Sequence, residues 1–226
     1  MLSNEHLIQF AGWHLPPKEK HFQRWLKNWR ETDYQENAYN NSLEFVKHSK
    51  IAIDVGANIG MMTRRYAQRF QEVHAFEPVL VNNTCLRYNC DDLNNVKIYN
   101  CALGEDEAEI QIYNKEQYDN SGGWSMKDYQ NKDWIHYKDD TDLISETVKV
   151  VKLDSLNLSP DFIKVDTQHF ELPVLKGAEK TIQENKPILQ LELDKGELGD
   201  PIRDYIKSLG YKVCKQIKKD WIFGPK

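Results

Sequence analysis

Long apolar runs are missing. No stretch approaches the roughly 18 residues that a bilayer-crossing helix needs, so no membrane span is expected. An excess of positive charge is missing too: Lys and Arg total 30 against 35 Asp and Glu, a formal net charge of −5. The molecule as a whole is therefore not drawn to a polyanion, which weighs against a nucleic-acid partner, although a local basic groove can coexist with an acidic average. Cys85, Cys90, Cys101 and Cys214 form no C-x-x-C pair and have no histidines at finger spacing, so no structural metal is expected. Four thiols in a chain this long fit a reduced compartment. The opening "MLSNEHLIQF" lacks the basic segment, apolar core and cleavage site of a secretory signal. The expectation is a cytoplasmic protein, without internal repeats or low-complexity tracts.

What is present is ordinary globular material. Hydrophobic residues make up 40% of 226, and charged residues 29%, enough for one large domain and an extension. Residues 1–49 stand apart. "GWHLPPKEKHFQRWLKNW" is rich in Trp, His and Lys, and its Pro16-Pro17 pair predicts a helix starting near 17. A second helix is expected over about 34–48, where Tyr39, Leu43 and Val46 keep helical spacing. Together they predict a helical extension serving as a lid or a dimer surface. Residues 50–226 form the main domain, with a long polar and aromatic insertion over 114–147.

Within that domain strands and helices alternate. "IAIDV", "VHAFE", "VKIYNCAL" (96–103), "DFIKVD" and "PILQLEL" read as strands, with helices expected over 60–70, 79–89, 172–185 and 199–209. "AEIQIYN" and "ETVKVVKL" are expected to pair with each other, and "YKVCKQI" with "WIFGPK" as a terminal hairpin. The pattern predicts an α/β fold with a doubly wound, mostly parallel sheet. Ligands of such sheets bind outside the carboxyl ends of the strands.

The first strand-to-helix turn, "IDVGANIGM", is not a dinucleotide fingerprint, because G-x-G-x-x-G fails at Asn58 and Met61. It is an acid two residues before G-x-N-x-G. Gly56 and Gly60 let the backbone approach a compact zwitterion, with Ala57, Asn58 and Met61 beside it, and Asp54 takes the ammonium group. Glu77 ends the next strand, followed by Pro78, where a carboxylate accepts from ribose hydroxyls. Asn100 and Cys101, after the third strand, fall where an adenine edge passes, with Ala102 and Leu103 following. Ribose and amino-acid recognition without a pyrophosphate loop describes S-adenosylmethionine.

"IDVGANIGMMT", "AFEP" and "LDSL…DFIKVDTQHFELPVLKGAE" together resemble the FkbM family of S-adenosylmethionine-dependent methyltransferases, over about 50–195. The resemblance implies a class I (Rossmann-like) methyltransferase fold ending in an antiparallel hairpin. It also implies O-methylation of a sugar, polyketide or other small metabolite. Asp166, at a strand tip, then orients or deprotonates the acceptor or touches the cofactor's methionine end. Glu192, at the next tip, positions acceptor or backbone groups. Where the family has D-V-E-G-x-E this chain has D-T-Q-H-F-E, and His169 is a candidate replacement base. Trp124, Trp134, His136 and Tyr137 are candidates to stack on the acceptor. Two readings stand beside this one: a nucleic-acid methyltransferase using "KEKHFQRWLKNWR", and a module that binds the cofactor without transferring methyl.

Overall fold

The computed structural model describes residues 7–28, 30, 34–115, 119–125, 143–194, 196 and 199–226. The chain opens on a hairpin, β1 (Ile8–Phe10) against β2 (Trp13–Leu15), rather than on helix alone. Ala11 and Gly12 both have positive φ, 50° and 83°, as a two-residue hairpin loop of matching twist requires. Trp13 and Leu15 are buried, and His14 exchanges backbone hydrogen bonds with the Asn89 side chain, so the hairpin is fixed on the main domain. Pro16 and Pro17 end this hairpin. The helix expected near 17 starts later, as α1 (His21–Asn28), and α2 spans Glu36–Leu43.

The alternating part follows in order. It runs β3 (Ile51–Val55), α3 (Met61–Ala67), β4 (Glu72–Phe76), α4 (Leu80–Asn89), β5 (Val96–Tyr99), β6 (Ala102–Leu103), β7 (Ala108–Lys115) and β8 (Leu143–Val151). It continues as β9 (Phe162–Val165), α5 (Glu171–Lys176), α6 (Glu179–Asn185), β10 (Ile188–Glu192), α7 (Gly199–Ser208), β11 (Tyr211–Ile217) and β12 (Asp220–Pro225). The main sheet has seven strands in the order β11-β12-β10-β9-β3-β4-β5. Its strands are parallel except β12, which runs against both neighbours as the terminal hairpin. A smaller sheet joins β6, β8 and β7, with β7 and β8 antiparallel.

Two expected elements are each divided. The strand 96–103 breaks after Tyr99 because Asn100 donates to the carbonyls of Glu77 and Pro78, turning the chain out of the main sheet. The helix 172–185 breaks at Gly177, where a Cβ would lie 1.8 Å from the Gly104 carbonyl oxygen.

Strand period sorts the core. Ile53, Ile163 and Leu189 lie in register and face Val174, Ile182 and Ile206. Ala52 and Phe162, one step earlier, face Tyr66 and Phe70. Asp54 and Lys164 therefore share the second face, beneath α3. Among the described residues no helix is long and apolar enough to cross a membrane.

Candidate active site

β3, β4, β9 and β10 end side by side, and their tips open into a cavity of about 380 Å³, within the range of small-molecule sites. Gly56, Ala57, Asn58 and Met61 line it from the first turn, Glu77 and Pro78 from the tip of β4, and Ala102 from β6. Lys164, Asp166 and Glu192 line the other end.

Glu77 is almost wholly buried. Its carboxylate accepts from the Asn58 N–H at 2.8 Å and the Val79 N–H at 3.0 Å. Burial pushes its pKa up to about 7, the hydrogen bonds pulling the other way. Asn82 also lines the cavity and is 2% exposed, and its Oδ1 has no hydrogen-bond partner. An orphaned acceptor in such a place calls for a donor from a ligand.

At the opposite end Lys164 is 4% exposed, its Nζ 3.6 Å from Asp54 and 3.4 Å from Asp166. Burial alone would lower its pKa, but Asp166 and Asp54 outweigh it and hold the ammonium charged. The Glu192 carboxyl is raised to about 7, by burial first and then by Asp166 and Asp220. Gln168 donates to Asp166 at 3.1 Å. Glu171 is buried, and one of its oxygens accepts from Thr167 N, Thr167 Oγ1 and His169 N, each at 3.1 Å, which fixes the loop after β9.

A roof closes the cavity. Lys20 and His21 donate their N–H groups to the Asp119 carbonyl, and Arg24 pairs with the Asp119 carboxylate at 2.8 Å. Glu19, 1% exposed, accepts from Phe22 N and, at 2.5 Å, from Ser121 N. Ser121 in turn donates to Asn58 at 3.1 Å, tying the roof to the first turn. His21, Phe22, Tyr34 and Trp124 face the cavity. Trp29, Trp134, His136 and Tyr137 lie outside the described residues.

Four expected site residues do not line the cavity. Asp54 is wholly buried and turned under α3, where Thr63 donates to it at 2.7 Å. Gly60 serves packing: at φ 95° its Cβ would lie 2.6 Å from Leu86. Gly56 does line the cavity, but its φ of 79° and a Cβ position 1.9 Å from the Asp166 carbonyl explain it by strand-tip packing. Cys101 is a buried core residue. His169 is turned away by two consecutive left-handed residues, Gln168 and His169, and its ring lies 3.8 Å from Asp194. Lys164, Asn82 and Tyr34 are among the cavity residues not expected from the sequence. Only Lys164 carries a local signal, two residues before Asp166 on the same strand face.

A parallel sheet in this order, with its pocket at the strand tips and a buried acid ending the second strand, defines the Rossmann-like fold of class I methyltransferases. Within that class the chain belongs to the FkbM methyltransferase family, whose domain matches residues 54–213. Among solved structures, the FkbM methyltransferase of Methylobacillus flagellatus KT is similar at 21% identity and a TM-score of 0.51, over 77% of this chain and 43% of that one. The chain thus spans less than half the length of that relative. Magnesium protoporphyrin IX methyltransferase from Synechocystis PCC 6803, solved with bound S-adenosylmethionine, shares the fold at 8% identity and a TM-score of 0.53, over 92% of this chain and 85% of that one. No curated protein matches the chain in sequence.

Proposed function

We propose that this chain is a cytoplasmic S-adenosylmethionine-dependent methyltransferase acting on a hydroxyl of a small or glycan-like acceptor. The observation that carries the reading is the polarity of the cavity from end to end. One end offers a carboxylate and an orphaned amide oxygen, Glu77 and Asn82, to the hydroxyls of a nucleoside. The other offers Asp166, Glu192 and a charged Lys164.

The residues present fit the cofactor. Its volume suits the cavity, the Asn82 oxygen gains a donor, and the carboxylate-rich end favours a cation. Glu77 and Asn82 would hold the nucleoside portion. When bound, the cofactor supplies an electrophilic methyl group to an acceptor aligned with it. Glu192, titrating near neutrality, is suited to take the proton of the acceptor hydroxyl. Asp166 and Lys164 keep that end charged and ordered.

Calorimetry with S-adenosylhomocysteine tests the first half. Binding is expected, and Glu77→Gln should weaken it by about 1–3 kcal/mol. No binding by the unmodified protein refutes the cofactor; unchanged affinity in the variant refutes the place given to Glu77. Radiolabelled methyl transfer to glycan, metabolite and RNA pools tests the second half. Label on RNA overturns the acceptor class, and binding without transfer to any pool makes the protein a cofactor-binding module.

A further inference from the structure

One wall of the cavity does not come from the FkbM domain. His21, Phe22, Tyr34 and Gln35 all precede the matched residues, 54–213, yet face the same space. Tyr34 is the best held of them. Its ring meets Phe22 at 5.5 Å and the edge of Trp25 at 5.3 Å. Its carbonyl accepts from Arg65 Nη1 at 2.6 Å, and the Arg65 guanidinium lies 3.9 Å above the Tyr39 ring. The position of Tyr34 is thus set by α3, the helix that leaves the first turn of the site.

The Tyr34 hydroxyl has no hydrogen-bond partner among the described residues. Burial raises its pKa, Asp166 adds to the rise, Lys164 opposes it, and Glu192 and Asp220 add further. Tyr34 lines the same cavity as Lys164, Asp166 and Glu192, and the charges of those groups reach its phenol. A phenol held protonated beside carboxylates is a hydrogen-bond donor, not a base.

We propose that Tyr34 is an acceptor-binding residue added to the site by the N-terminal segment, donating its phenol O–H to an oxygen of the methyl acceptor. The assignment rests on the methyl-transfer reading above. It suits an acceptor with more than one oxygen, a sugar or other polyol: one oxygen receives the Tyr34 proton donor while a neighbouring hydroxyl gives its proton to Glu192. Phe22 and Trp124 supply apolar faces for the ring of such a molecule.

Tyr34→Phe keeps the ring and its packing and removes only the donor. Three measurements separate the outcomes. S-adenosylhomocysteine affinity is expected to stay within about twofold, because Glu77 and Asn82, which hold the nucleoside, are untouched, whereas label transfer to the glycan and metabolite pools falls about tenfold or more. An ultraviolet difference titration, wild type against Tyr34→Phe, is expected to show no phenol ionising near the ordinary pH of about 10. Unchanged transfer overturns the proposal, and so does a fall in transfer that tracks a loss of cofactor affinity. A Tyr34 phenol that titrates normally overturns its placement, even if the wild type labels no pool. That last silence, with S-adenosylhomocysteine still bound, counts against the methyl-transfer reading and leaves Tyr34 to be decided by its titration.

Discussion

Asp54 and Lys164 lie in register on β3 and β9, both buried, with Oδ1 and Nζ 3.6 Å apart. That is long for a hydrogen bond, and Asp54 Oδ1 has no other partner. Burial pushes the Asp54 carboxyl up, with Lys164 and Thr63 pulling it back. Removing one partner of a buried pair leaves the other charge uncompensated, at a cost of several kcal/mol. Asp166 remains beside Lys164, so Asp54→Asn should cost about 3 kcal/mol in a urea unfolding curve. Adding Lys164→Met should recover much of that loss. Equal unfolding midpoints for wild type and Asp54→Asn would show that the pair contributes nothing. An acid before a glycine turn looks like a ligand-binding residue in the sequence. The two-residue strand period, followed one step further, puts it on the face beneath α3 and brings Lys164 into line with Asp166. The sequence hides Lys164 in a strand that otherwise reads as apolar.

Elements were legible where one local pattern governs them. The apolar strands of the main sheet and the β7–β8 and β11–β12 pairings follow from such patterns. Breaks imposed by contacts distant in sequence were not. Gly177 has an ordinary helical φ, −73°, so nothing in its own backbone requires glycine. The requirement is steric, since a Cβ there would meet the Gly104 carbonyl oxygen at 1.8 Å and its carbon at 2.7 Å. Helix propensity and packing therefore oppose each other. Alanine gains about 1 kcal/mol in an isolated helix but here must push two backbones apart. Overpacking of this kind costs about 1–3 kcal/mol and often more against backbone than against a flexible side chain. Gly177→Ala should lower stability, measured by chemical denaturation. A stabilised variant would mean that the contact between α5 and the turn after β6 yields freely.

At the scale of the whole molecule, the alternation of strands and helices announced the sheet, and an N-terminal extension was expected as a lid or dimer surface, but nothing local paired that segment with Ser121, since Glu19 and Ser121 are 102 residues apart. Roof and strand tips together bury carboxyl groups whose desolvation outweighs any neighbouring cation. Glu77, Glu171 and Glu192 are each raised to about 7, burial being the largest cause in every case. Unfolded glutamate titrates near about 4.3, so between that pH and about 7 the folded chain binds more protons than the unfolded one. Stability from these groups is complete below the unfolded pKa and is lost as pH rises through the folded pKa. Asp54 and Asp220, also raised by burial, act in the same direction. Glu72, Asp92 and Asp119, lowered by their basic partners, act oppositely only at acid pH, whereas His74 and His169, lowered by burial, oppose the trend as pH falls toward 6, two imidazoles against three carboxyls. The cofactor-free protein should therefore melt at a higher temperature near pH 6 than near pH 8, in contrast to a protein whose acids are all salt-bridged. A ligand that accepts the charged form of Glu77 reverses the sign locally, so S-adenosylhomocysteine should raise the melting temperature more near pH 8 than near pH 6. Melting curves at the two pH values, with and without it, check both signs; a cofactor-free protein more stable near pH 8 would mean that these carboxyls are hydrated and the cavity stands open.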